Sequence, residues 1–140
     1  MAIIWRDEYR VGNELIDADH RYLFCLVNTV ELAVRDDDSH DLLDVALDQL
    51  LDYARYHFAR EERIQYAAGY PGYLDHKLAH HRLLRHLQDA CARIRAAAGP
   101  DRTACQRELQ SLLRQWLLEH VLEEDRKLKP YLEKLPASFE

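Results

Sequence analysis

The sequence predicts an all-α protein, an antiparallel up-down four-helix bundle preceded by a non-helical N-terminal arm. Three observations carry that prediction. Apolar residues recur at spacings of three and four along most of the chain, the period of a helix with one buried face. Glycine and proline number four each and fall outside those periodic stretches, where they break helices rather than weaken them. The connections they mark are short, which favours antiparallel neighbours.

The chain of 140 residues fits one domain over 1–140. The arm occupies 1–17, and helices are expected near 18–35, 40–67, 73–98 and 101–129. In the first helix Ile16, His20, Leu23, Val27, Val30 and Val34 share a stripe. An acidic break follows, in which Asp38 or Ser39 is placed to cap the second helix. Leu43, Leu47, Leu50, Ala54, His57, Glu61 and Ile64 form the second stripe. Gly69-Tyr70-Pro71-Gly72 then leads into a third, formed by His76, His80, Leu83, Leu87, Ala90, Ile94 and Ala97. Gly99 stands where a C′ glycine would close that helix, and Asp101 where a side chain would cap the next. The fourth stripe is Leu109, Leu113, Trp116 and His120, with Pro130 near its end.

Net charge is −6 and no lysine or arginine cluster stands out, so neither nucleic acid nor an anionic membrane is an attractive partner. The first apolar run meets Arg6 almost at once, too short for a signal peptide, and no stretch reaches membrane-spanning length. Cys25, Cys91 and Cys105 share no CxxC spacing. They read as small apolar side chains in a reducing compartment, with a redox role as the alternative. A cytoplasmic monomer is expected.

The unusual feature is that histidines and a glutamate occupy core stripes. One core histidine is ordinarily just hydrogen-bonded, but a buried carboxylate requires a partner. Counting along each helix from its connecting loop puts His20, His57, Glu61, His76, His80 and His120 in one layer of an antiparallel bundle. His57 with Glu61 and His76 with His80 are i,i+4 pairs, which aim two side chains at one place. Asp125, five residues past His120, completes the set but fits a regular helix poorly. Local widening of the fourth helix is therefore predicted, as in a π-type turn. Seven donors exceed the four of a tetrahedral zinc site. They suit two octahedral ions bridged by two carboxylates. Mixed imidazole and carboxylate donors favour iron, and the lack of cysteine ligands argues against iron–sulfur. Dinuclear zinc or manganese remains open on donor chemistry alone.

At this point the sequence resembles the hemerythrin family, in particular its single-domain bacterial members. The resemblance rests on His20, His57-x3-Glu61, His76-x3-His80 and His120-x4-Asp125. Flanking residues extend it: Trp5, Gly12, Ile16-Asp17, Phe58, Glu62, Tyr70-Pro71 and Trp116-Leu117. It implies two iron ions with an oxo or hydroxo bridge. His76, His80 and His120 would serve one iron, and His20 and His57 the other, which keeps an open position. Glu61 and Asp125 would bridge. Leu23, Phe58, Trp116 and Leu117 would wall the O2 pocket while also packing the core.

The implied function is reversible O2 binding for storage or delivery to an O2-consuming enzyme, with no catalytic turnover of its own. Alternatives are an O2 or redox sensor read by a signalling partner, and a di-iron enzyme acting on peroxide or nitric oxide. Two residues depart from the family pattern. Leu83 stands where many members carry phenylalanine, and Asp19 where many carry glutamine. Asp19 is expected to face solvent, as are His40, His81 and His86.

Overall fold

A computed structural model describes residues 2–35 and 40–140. The side chains of His40 and Leu117, and the expected caps Asp38 and Ser39, lie outside the described residues. Four helices form the bundle: α1 (Glu14–Arg35), α2 (His40–Ala68), α3 (Tyr73–Ala96) and α4 (Gly99–Gln115). Consecutive helices lie side by side, and α4 returns to α1. The chain continues from α4 as a π-helical segment (Trp116–Glu124), a 3-10 turn (Asp125–Leu128) and a short α5 (Lys129–Leu132). No helix among the described residues is long and apolar enough to cross a membrane.

The stripes read from the sequence form the core. Val27, Val30, Leu47, Leu50, Ile94 and Leu113 are fully buried in one large apolar cluster. A second, smaller cluster of Val11, Ile16, Ile64, Leu128 and Leu132 lies toward the other end. On α1, α2 and the continuation of α4, the polar core residues fall between the members of these two clusters. Each element thus passes from apolar to polar and back to apolar. On these three elements the polar layer is flanked on both sides by apolar core.

Helix α1 starts four residues before the expected 18, because Asn13 caps it. The Asn13 Oδ1 accepts the backbone N–H groups of Leu15 at 3.1 Å and Ile16 at 3.0 Å, satisfying two of the donors that a helix start leaves unpaired. Its Nδ2 donates to the Phe139 carbonyl at 2.9 Å. The Glu14 N–H reaches Ala137 O at 2.8 Å, which ties the C-terminal residues to the start of α1. Asp17, assigned by sequence to the arm, lies inside α1 and accepts the Val11 N–H at 2.8 Å and the Gly12 N–H at 3.3 Å. Gly12, at φ +98°, supplies the left-handed turn that this hold requires. The arm is thus residues 2–13, with one 3-10 turn at Asp7–Tyr9. Substituting Asn13→Ala is expected to cost about 1–2 kcal/mol of stability, measurable by urea denaturation.

Two other local expectations are corrected. Helix α3 is closed not by Gly99 but by Ala97, whose extended backbone directs its N–H to Arg93 O and Ile94 O. Gly99 instead opens α4, next to Pro100, and its N-cap residue, Ala98, offers no side-chain cap. A proline in the first turn has a preset φ and lacks a donor that would be orphaned anyway. The cysteines also differ among themselves. Cys91 is buried, and burial pushes its thiol up to about 11, whereas Cys25 is exposed rather than packed.

Candidate metal centre

Four elements supply the polar layer: α1 with His20, α2 with His57 and Glu61, α3 with His76 and His80, and the continuation of α4 with His120 and Asp125. All seven side chains are buried. The pairs on α2 and α3 meet because residues four apart share a helix face. His120 and Asp125 meet by a different device. The backbone N–H of Asp125 donates to His120 O, the i→i+5 bond that defines a π-turn. The widening predicted from the five-residue spacing is present, and it runs from Trp116 to Glu124.

The histidines present their Nε2 atoms to the two carboxylates. Glu61 Oε1 lies 2.9 Å from His76 Nε2 and 3.3 Å from His80 Nε2. Glu61 Oε2 lies 3.4 Å from His20 Nε2 and 3.1 Å from His57 Nε2. Asp125 divides in the same way. Its Oδ1 is 2.9 Å from His76 Nε2 and 3.3 Å from His120 Nε2, and its Oδ2 is 3.1 Å from His20 Nε2. Each carboxylate therefore gives one oxygen to a group with His76, His80 and His120, and the other to a group with His20 and His57. Within each group, ligand atoms lie within 4.8 Å of one another.

These spacings fit metal ions. Donors about 2.1 Å from an octahedral ion stand roughly 3.0 Å from their neighbours. The Nε2 atoms of His20 and His57, Glu61 Oε2 and both Asp125 oxygens are buried without a hydrogen-bond partner among the described residues. They approach one another but do not point along hydrogen bonds. That is the arrangement expected of lone pairs converging on a common centre.

The electrostatics agree. Burial would discharge the His20 imidazole, but Asp125 and Glu61 outweigh it and hold His20 up at about 10. The same balance holds His76 at about 10. His120, where burial dominates, falls to about 4. Burial also opposes a charged Glu61, yet the imidazoles of His20, His57, His76 and His80 that face it keep its carboxyl well below the ordinary range. Asp125 is lowered too, against burial and the Glu61 charge, by His120, His20 and His76. Two buried carboxylates among imidazoles form an electrostatic well that either protons or a cation can fill.

The family profile described as Hemerythrin HHE cation binding domain matches residues 11–132. The chain belongs to the hemerythrin HHE family. The bacteriohemerythrin of Stenotrophomonas maltophilia is 30% identical over 123 residues, covering 88% of this chain and 76% of that protein. That of Clostridium acetobutylicum is 29% identical over 126 residues, covering 88% of this chain and 95% of its own. A crystal structure of wild-type hemerythrin shares the fold, with a TM-score of 0.77 at 24% identity over 94% of this chain and 98% of that one.

Around this hemerythrin-type layer, Phe58 lies flat on the His80 ring, with centroids 3.9 Å apart and planes 9° apart. The edge contact between Phe58 and Trp116 is 5.9 Å between centroids. Leu23, Phe58 and Trp116 are all buried, and the side chain of Leu117 lies outside the described residues. Leu83 is half-buried and lines a cavity of 390 Å³ with Trp116 and His120. His81 and His86 are exposed.

Asp19 corrects the expectation that it faces solvent, being only 2% exposed. One residue before His20, it points about 100° further round α1, which directs it at α2. Its Oδ2 accepts the His57 Nδ1–H at 3.0 Å, and its Oδ1 accepts the Tyr53 hydroxyl at 2.5 Å. Arg60 lies 3.5 Å from the same Oδ1. Although burial raises the Asp19 carboxyl, the bonds from His57 and Tyr53 bring it below its ordinary value. Sequence reading missed Tyr53 and Arg60. The available signal was their placement four before and three after His57, on one face of α2.

Proposed function

We propose that this layer holds two iron ions and binds O2 reversibly, for storage or for delivery to an oxygen-consuming enzyme. The observation that carries the reading is the division of Glu61 and Asp125, one oxygen of each to either histidine group. His76, His80 and His120 with one oxygen from each carboxylate make five donors. His20 and His57 with the other two oxygens make four. The first group would hold one iron and the second the other, and the second has one protein donor fewer, which would leave room for O2 beside His20 and His57. When bound, iron supplies the electrons that O2 takes up on binding and recovers them on release.

The protein's own contribution is to hold and to exclude. Five neutral imidazoles with two carboxylates concentrate less negative charge than a four-glutamate layer of the ferritin-like kind. Such a donor set favours the ferrous state over high-valent iron. Leu23, Phe58 and Trp116 keep water and protons from the layer, which slows oxidation of the ferrous pair. The stacked Phe58 fixes the plane of His80, and with it the direction of its Nε2.

Stopped-flow mixing of the anaerobically reduced, iron-loaded protein with O2, followed by deoxygenation, tests this. A visible absorption band should appear, persist and vanish when O2 is removed. Direct conversion to a ferric spectrum with no such band would refute the carrier reading while leaving the iron site intact.

A further inference from the structure

Asp19 belongs to neither donor group, yet it is a charged side chain held out of water in the same layer. Burying a carboxylate is unfavourable unless its charge is used. A helix-to-helix tie between α1 and α2 needs only a neutral acceptor. Both oxygens are nonetheless committed, Oδ2 to His57 and Oδ1 to Tyr53 and Arg60. The other histidines with buried Nδ1 atoms lack such support. The Nδ1 of His20 has no hydrogen-bond partner among the described residues. That of His80 is 3.9 Å from its nearest carboxylate, Glu62.

We propose that Asp19 is a positioning residue for the four-donor half of the centre. It acts through His57 to strengthen that half's hold on its metal ion. The inference rests on the two-metal reading above. A carboxylate can only accept, so it fixes the proton on Nδ1 of His57 and leaves the Nε2 lone pair facing Glu61 Oε2. Its charge then makes that Nε2 a stronger donor. The half so strengthened has one protein donor fewer and adjoins the open position. Arg60 and Tyr53 work against this push, because each draws charge toward Oδ1. The network therefore sets the donor strength of His57 between two opposing influences.

The charge can be removed while the geometry is kept. In Asp19→Asn an amide oxygen can still accept the His57 Nδ1–H, but the negative charge is gone. The five-donor group should fill first, and the variant should weaken only the second equivalent of metal, by about 10–100-fold. Arg60→Gln and Tyr53→Phe relieve the opposing pull, so both should hold the second equivalent at least as tightly as the wild type. A purely structural role predicts no such opposition of sign.

The experiment is an anaerobic calorimetric titration of the metal-free wild type and the three variants with Fe2+. The ring-nitrogen NMR shifts of His57 in the Zn2+-loaded protein report its tautomer and donor strength. If Asp19→Asn does not fold, Arg60→Gln and Tyr53→Phe still carry the test, since loss of second-site affinity in both overturns the proposal. Equal second-site affinity in Asp19→Asn, or equal weakening of both equivalents, overturns it as well. A wild type that takes up fewer than two equivalents would instead refute the two-metal reading.

Discussion

Substituting Glu61→Ala is expected to reduce bound iron from the proposed two ions per chain to less than one. The Glu61 oxygens lie within reach of four histidines, His76 and His80 on one side and His20 and His57 on the other. Its removal takes a donor from both groups at once and leaves five imidazoles facing a single carboxylate. Breaking a buried charge network by deleting one partner costs about 3–5 kcal/mol, which is roughly two to four decades of affinity. His57→Ala provides the contrast. It removes a donor from the four-donor group alone, so about one iron should remain. Colorimetric iron analysis of the purified variants distinguishes the two cases. Two retained irons in Glu61→Ala would show that its oxygens do not bridge the groups.

The parts of this centre that sequence reveals are those fixed by helical period. Stripes at three and four residues locate His20, His57, Glu61, His76, His80 and His120, because each replaces an apolar residue on a face that must be buried. Asp125 was legible for the opposite reason. Its five-residue offset from His120 is wrong for an α-helix, so the helix had to widen if both were to face inward. What period does not encode is the exact rotation of a helix and the distance to its neighbour. Asp19 sits at the edge of the buried face, where a modest turn of α1 decides between water and His57. Its acceptance of Tyr53 and Arg60 depends on how closely α2 approaches. Chain ends of helices were also misread. Helix α1 begins at Glu14 rather than near 18 because the Asn13 side chain satisfies two backbone donors and also ties down the tail.

Removing the iron is expected to lower the thermal midpoint by roughly 10–15 °C, and the loss should grow as pH rises from about 6.5 to 9. At a free-metal concentration a thousandfold above the dissociation constant, binding contributes about 4 kcal/mol, which sets that temperature scale for a domain of this size. The pH dependence follows from the protonation states of the metal-free layer. His20 and His76 titrate at about 10 when folded, against about 6.5 when unfolded. Their stabilisation is fully present below about pH 6.5 and is lost as pH rises through 10. His120 has the opposite sign. Its folded pKa of about 4 makes its contribution present above about pH 6.5 and lost as pH falls. Glu61 and Asp125, both lowered, add to the acid-side loss. The metal-free protein should therefore be most stable near pH 6.5 and weaken on either side. On the two-iron reading, iron would replace the protons on His20 and His76, so the loaded protein should escape the alkaline part of that decline. Circular dichroism melts of loaded and metal-free protein at pH 6.5 and 8.5 measure the gap. A gap that stays constant or narrows with pH would mean that these imidazoles do not exchange protons for metal.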